Sequence, residues 1–324
     1  MQTTARIIEV STRRRAVRAT VAMFVLVSAN VAVGVLLPSP SSAAVQAPTT
    51  SHYEATTDPA TLLAQGQAAG HAGSQGLVIL DFGRPAVDGS ISGTEDFNST
   101  FVSFASIVAA AESYVQGYFT SAPDDLQLDV AVGTNNSCGP GQPCGSVVCG
   151  CELEPQGFAA WGAQLAAAVE QVRSQTNESK VQSGYTDTVT IMAGDDAEPA
   201  FDPEYQNTYN LMAGYANAVE GYQPAMIDYG SADPGFWSEG QLLQIADGFK
   251  PNLAVPEIYT PTDVAAWTSL VSYAKASGQD MTIYGVLTAA SAGNSPEDSY
   301  SSLVGTLPAI TGQSSIRWLS TISH

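Results

Sequence analysis

The sequence predicts an α/β protein built as a (β/α)8-type, TIM-like barrel with an irregular strand count. Three observations carry this. Short apolar runs rich in β-branched residues alternate with longer runs whose apolar positions recur every three or four residues. The short runs are continuously apolar, as expected of strands buried on both faces of a parallel sheet. Several of them end in carboxylates and aromatics, where a parallel barrel presents its functional side chains.

The first 44 residues stand apart from this pattern. Arg13, Arg14, Arg15 and Arg18 form a basic start, Val21 to Leu37 is mostly apolar, and Ser42-Ala43-Ala44 offers small residues for cleavage. That is the layout of a signal peptide, so the protein is expected to be secreted. Residues 45–60, rich in Ser, Thr, Ala and Pro, read as a flexible linker, leaving 61–324 as the barrel domain. A short helix over Pro59–Ala69 is expected to cover the barrel floor.

The first strand is Gly76–Gly83 (GLVILDFG). From Phe97, the positions Phe101, Phe104, Val108, Ala111, Val115 and Tyr118 define one helix face. The strand Leu126–Gly133 follows, then a cysteine-bearing loop and a helix with Phe158, Trp161, Leu165, Ala168 and Val172 on one side. Thr188–Ala193 is the next strand, Tyr205–Val219 a helix, and Ala225–Tyr229 a strand. Glu239–Phe249 reads as helix, Leu253–Tyr259 as strand, and Val264, Trp267, Val271 and Ala274 mark another helix. Met281–Leu287, a weak helix over Tyr300–Ile310, and Ile316–Ile322 complete the series. Seven strands are counted where a complete barrel has eight. The alternative, an open doubly wound sheet, lacks its Gly-rich turn, since Asp81-Phe82-Gly83-Arg84-Pro85 is no such turn.

The chain carries a formal charge of −20, and removal of the leader leaves six basic against thirty acidic residues, near −24. Nucleic acid and anionic membranes are poor partners for that surface. No second run is long enough to span a bilayer, so a soluble monomer is expected after cleavage. Cys138, Cys144, Cys149 and Cys151 fall within one Gly/Pro-rich loop, which in an exported chain reads as two local disulfides with the pairing open. Their spacing lacks the paired knuckles of a zinc site.

Chemistry is reached by elimination. His52 lies in the linker, His71 before the first strand and His324 at the end, so neither a histidine-based triad nor a His-rich metal centre has material. Oxidised cysteines are not nucleophiles, and Lys180, Lys250 and Lys275 fall away from the strand ends. No P-loop is present, and no cofactor or metal is expected.

Carboxylates remain. Val189-Thr190-Ile191-Met192-Ala193-Gly194 ends in Asp195-Asp196-Ala197-Glu198-Pro199, and Asp228 and Glu257 close two later strands. Paired carboxylates hydrolyse glycosidic bonds, one protonating the leaving oxygen while the other attacks or stabilises the anomeric carbon. Asp196, Glu198, Glu257 and Asp228 are therefore the candidate catalytic residues, with Glu198 as acid/base, Asp196 orienting it or stabilising positive charge, and Glu257 or Asp228 as the second carboxylate. Asp81, Tyr229, Trp237 and Tyr259 are candidate substrate contacts, since flat rings stack on sugar faces. Competing structural roles are plain: Asp81 could pair with Arg84, Asp195 could cap a turn or bind calcium, and Asp129, inside its strand, reads as a hydrogen-bonded layer residue.

At Asp196-Ala197-Glu198-Pro199, Tyr229-Gly230-Ser231, Pro256-Glu257-Ile258-Tyr259 and Trp267 the chain resembles a group of uncharacterised exported actinobacterial proteins, over residues 76 to 324. More loosely it is similar to glycoside-hydrolase-type barrels, including lysozyme-like members. The resemblance implies an Asp on the first strand and an Asp-x-Glu at a later strand end, positions that Asp81, Asp196 and Glu198 would take. In this count Asp-x-Glu falls on the third strand, where the resemblance implies the fourth. The expected function is hydrolysis of a polysaccharide or cell-wall glycan. The alternative is a non-catalytic barrel that binds one.

Overall fold

A computed structural model describes residues 47–138, 148–153, 155–219, 223–250, 252–289 and 291–323, without the side chains of 151 and 155. The expected signal peptide lies outside the described residues. So does Cys144; Cys138 and Cys149 are buried and neither is a free thiol.

The chain runs β1 (Thr49–Tyr53), α1 (Pro59–His71), β2 (Gly76–Asp81), β3 (Arg84–Asp88), β4 (Ile91–Glu95), β5 (Phe101–Ser103) and α2 (Phe104–Phe119). It continues with β6 (Gln127–Asn135), β7 (Val148–Cys149), α3 (Pro155–Ser183), β8 (Thr188–Asp196), α4 (Tyr205–Ala218) and β9 (Met226–Asp228). The remainder is α5 (Glu239–Ala246), β10 (Asn252–Ala254), α6 (Pro261–Ala276), β11 (Gly285–Ala289), α7 (Pro296–Ile310) and β12 (Trp318–Ser323).

Eight of these strands form one curled sheet in the order β10-β9-β8-β6-β2-β1-β12-β11, with every ladder parallel. This order is compatible with a TIM-like barrel, but the sheet is not closed and leaves a seam between its two edge strands. There β10 and β11 share no continuous ladder, only isolated bridges at Ala254–Ile283 and Glu257–Leu287. Pro256 sits at that seam and has no N–H to donate, although its carbonyl accepts from Leu287 N at 2.8 Å.

The eighth strand corrects the sequence reading, because part of the expected linker is β1. It carries no hydrophobic signal: Thr49 and Ser51 are fully buried yet polar. Ser51 Oγ lies 2.7 Å from Ser320 Oγ and accepts the Ile79 N–H at 2.8 Å. Side-chain hydroxyls thus stand in for apolar packing and for part of the β1–β2 ladder. A second correction concerns residues 97–103, expected to begin a helix. They instead lead into β5, and α2 starts at Phe104 under a Ser103 cap.

β3, β4 and β5, inserted between β2 and α2, join β7 in a small antiparallel sheet of order β5-β4-β3-β7. β3 and β4 are joined by a tight turn at Gly89, whose φ of 60° suits glycine. Trp161 of α3 donates its indole N–H to Gly93 O at 2.7 Å, fastening this sheet to the helical layer.

Strand alternation divides the core in two. One side chain set (Val78, Leu80, Val130, Ile191, Ala193, Met226) meets the helices, and the other (Leu77, Ile79, Ala131, Met192, Ile227, Tyr229, Leu287, Trp318) fills the curl of the sheet. Tyr229 fits there because Gly133 and Gly194 leave room: a Cβ at either would lie 2.6 or 2.8 Å from its ring or hydroxyl. At the floor, Asp129 accepts from Arg317 at 2.7 Å and from the Trp318 indole at 2.9 Å, the layer role expected for it.

A chain starting at Thr56, lacking β1, is expected to lose its cooperative thermal unfolding, because β2 and β12 would face each other across a missing strand. Differential scanning calorimetry checks this; an unchanged midpoint would show that β1 does not belong to the folded unit.

Candidate active site

The carboxylates separate according to which way their strands point them. Asp196 shares the parity of Met192, and Glu257 that of Val255, so both reach the open end of the sheet. Glu198 follows in the loop, whose backbone Asn136 grips twice: its side chain accepts from Glu198 N at 3.0 Å and donates to Glu198 O at 3.1 Å. One oxygen from each of Asp196, Glu198 and Glu257 lies within 4.8 Å of the others. Tyr259 donates its hydroxyl to Glu257, and the Tyr53 and Tyr259 hydroxyls lie 3.3 Å apart. Asp263 stands behind, accepting the Tyr259 and Thr260 N–H groups at 2.8 and 2.7 Å as part of the α6 cap.

These groups line a cleft of about 420 Å³ together with Phe201 and Ser231. A second cleft of about 500 Å³ adjoins it, sharing Tyr53, Asp196 and Phe201, and is walled by Arg84, Glu95 and Phe97 of the antiparallel insertion. Arg84 and Glu95 form an ion pair at 3.0 Å.

Of the predicted residues, Asp196, Glu198, Glu257 and Tyr259 come together. Asp228 does not join them: with Asp195 it has the opposite parity, faces the helical layer and accepts from Gly230 N at 3.2 Å. Asp195 is bonded to Thr134 at 3.0 Å. Asp81 is fully buried beneath the mouth and accepts from Gly83 N at 2.8 Å; Arg84 pairs with Glu95. Tyr229 is interior packing that donates to Thr134 O at 2.8 Å, and Trp237 is buried with its indole on Asp202 O at 3.0 Å. Neither lines the cleft. Tyr229 has the inward phase of Asp196 but lies below the mouth, its ring against Gly133 and Gly194, and Trp237 packs against Tyr205 of a helix.

Tyr53, Phe97 and Asp263 escaped the sequence reading. Tyr53 sat in the presumed linker, and Phe97 was assigned to a helix face. Thr260-Pro261-Thr262-Asp263 did carry a signal, a helix-capping box directly after Glu257-Ile258-Tyr259.

Burial governs the electrostatics. Desolvation pushes Glu257 up to about 9, reinforced by the Glu198 charge and opposed by the Tyr53 hydroxyl. Glu198 is raised by desolvation and lowered in part because Glu257 donates to it, so Glu257 holds the proton and Glu198 the charge. Asp196 is raised well above the ordinary range by desolvation and by Glu257, Glu198, Asp81 and Asp195. Away from the cleft, desolvation also lifts Asp81, Asp228 and Glu54 to about 7. Asp196, Glu198 and Glu257 are a donor set that could hold a hard cation, which takes carboxylate oxygens. A cation there would compete with the Glu257 proton.

No protein-family model matches the chain, and no curated protein matches it.

All the raised acids act on stability in one direction. A carboxyl group whose pKa is higher folded than unfolded contributes fully below its unfolded value and loses that contribution as pH rises through the folded one. The thermal midpoint is therefore expected to fall between about pH 5 and pH 9, spanning the ordinary acid range and the value for Glu257. Glu54 isolates the effect, because its side chain meets Gln65 of α1 rather than the cleft. Glu54→Gln should stabilise the protein at pH 8 by on the order of 3 kcal/mol and change little at pH 4. Equal midpoints for wild type and variant at pH 8 would remove desolvation of Glu54 as a factor.

Proposed function

We propose that this is an exported hydrolase that cleaves a glycan through paired carboxyl groups, acting as a monomer on polysaccharide outside the cell. The observation that carries the reading is the close set of Asp196, Glu198 and Glu257, within 4.8 Å by their nearest ligating oxygens; desolvation, which pushes Glu257 up to about 9, suits that group to the acid role. Retaining glycosidases hold their two carboxyl groups about 5–5.5 Å apart, whereas inverting enzymes leave about 6.5–9.5 Å for a water. A pair in direct hydrogen-bond contact lies below the inverting range, so retention fits better, with the sugar parting the Glu257–Glu198 bond as it enters. Glu257 protonates the leaving oxygen while the Glu198 carboxylate attacks the anomeric carbon and forms a glycosyl ester. Glu257, now ionised, takes a proton from water as the water cleaves that ester, which restores both groups. Asp196 lies beside them and, kept protonated by burial and its acidic neighbours, orients the pair. This exchanges the roles expected from the sequence, in which Glu198 was the acid/base. The basic and apolar leader, the acidity and the clustered cysteines support export.

One observation favours a non-catalytic glycan-binding barrel instead: Glu257 is engaged at once by Tyr259, Tyr53 and Glu198, a hydrogen-bonded arrangement that also suits a static site.

Hydrolysis of a panel of cell-wall and plant polysaccharides separates the two. Wild type should release reducing ends, Glu198→Gln should not, and Glu257→Gln should lose about 10²- to 10⁴-fold, the usual contribution of general acid–base catalysis. Activity should fall on the alkaline side near pH 9 as Glu257 loses its proton, and on the acid side as Glu198 gains one. Retention of a polysaccharide with no cleavage by wild type establishes the binding barrel.

A further inference from the structure

The cleft does not end at the carboxylates. Its second arm passes Asp196 and runs along the antiparallel insertion, and the two arms share Tyr53, Asp196 and Phe201. Phe97 and Phe201 line this arm, and each leaves 37 % of its surface exposed; among the described aromatic residues only Phe236 is more exposed. The Phe97 ring is held at an angle of 64° against Tyr53, centroids 5.1 Å apart, so its orientation is fixed by packing. The loop beneath is equally fixed. Asp96 accepts the Asn98 and Thr100 N–H groups at 2.9 Å each, and Asn98 donates to Ala55 O at 2.8 Å. A rigid, half-exposed ring beside polar groups provides a platform whose ordering cost is already met before a ligand arrives.

The charge of the arm narrows the ligand. Asp96, Glu95 and Asp196 line it, and the guanidinium of Arg84 is committed to Glu95. Asp96 in this arm and Glu198 and Asp263 in the adjoining one leave uncompensated negative charge in both, which an anionic chain would meet as repulsion.

From this geometry we infer that the second arm is a separate sugar subsite, with Phe97 as its stacking platform, for an uncharged or amino-bearing glycan chain lying across Asp196. The inference rests on the glycan reading of the carboxylate site and adds to it a chain-length requirement.

The test uses the full chain carrying Glu198→Gln, titrated calorimetrically with β-1,4-linked glucose and N-acetylglucosamine oligomers from dimer to hexamer. Affinity is expected to rise with length. Phe97→Ala should remove that gain, lowering hexamer affinity roughly five- to thirtyfold, the usual effect of truncating an aromatic anchor. Dimer affinity should be unchanged, and Phe97→Tyr should restore the gain. An oligogalacturonate of equal length should not bind. Equal loss for dimer and hexamer, no loss for either, tight binding of the uronate, or no binding of any oligomer would each overturn the subsite. Polysaccharide cleavage by wild type is measured alongside. Cleavage without length dependence overturns the subsite and leaves the hydrolase, while length-dependent binding without cleavage overturns the hydrolase and leaves the subsite.

Discussion

The constraint on which the rest of this structure depends is the burial of carboxyl groups in a chain that has few cations to pair with them. Asp81, Asp195, Asp196, Asp228 and Glu257 are all less than a tenth exposed. Among the described residues no cation pairs with Asp196, Glu198 or Glu257. A buried ionised carboxylate without a partner is far more costly than a neutral acid, so the group takes up a proton instead. Buried oxygens on Asp81, Asp195 and Asp196 that meet no hydrogen-bond donor are consistent with protonated carboxyl groups. The same physics that penalises the charged fold at high pH supplies a carboxylic acid that persists at neutral pH. Stability and candidate chemistry are two readings of one desolvation.

Which acids become available is decided by strand phase. Asp195 and Asp196 are neighbours, yet one faces the helices and bonds Thr134 while the other opens on both arms of the cleft. Asp228 and Tyr229 divide in the same way one strand later. The strands, the parallel order and the existence of an acidic mouth were legible in the sequence, because apolar runs and their terminal carboxylates are local signals. Phase at a strand end was not. A continuously apolar strand has no polar alternation to show which residues point inward, so Asp228 and Tyr229 read as equally good candidates.

The strand count failed for a different reason. β1 carries Thr49 and Ser51 where β2 carries Leu77 and Ile79, and its stability comes from hydroxyl contacts to β2 and β12 that no local pattern announces. Restoring it moves Asp196-x-Glu198 to the fourth barrel-type strand and Asp81 to the second. The agreement with glycoside-hydrolase-type barrels thus improves at one position and lapses at the other. Asp81 is also buried beneath the cleft without lining it, and the side chain that β1 itself brings to the mouth is Tyr53, a phenol.

The irregular seam and the site are the same place. Beyond β10 the chain must leave a regular ladder, since Pro256 offers no N–H, and it is reattached to β11 by Leu287 N on Pro256 O and by Ile258 N on Leu287 O, both at 2.8 Å. Those two bonds bracket Glu257 and fix its backbone on either side. Two residues further on, Tyr259 shares the phase of Glu257, so its hydroxyl can return to the carboxyl group. Its amide is meanwhile held by Asp263 at the start of α6. A fully laddered strand would satisfy the same backbone groups but would not require the turn that brings α6 and its capping carboxylate against the mouth. The interruption costs regular pairing at one edge. In return, it gathers a phenol and a second negative charge around Glu257, the two influences that compete to set where its proton resides.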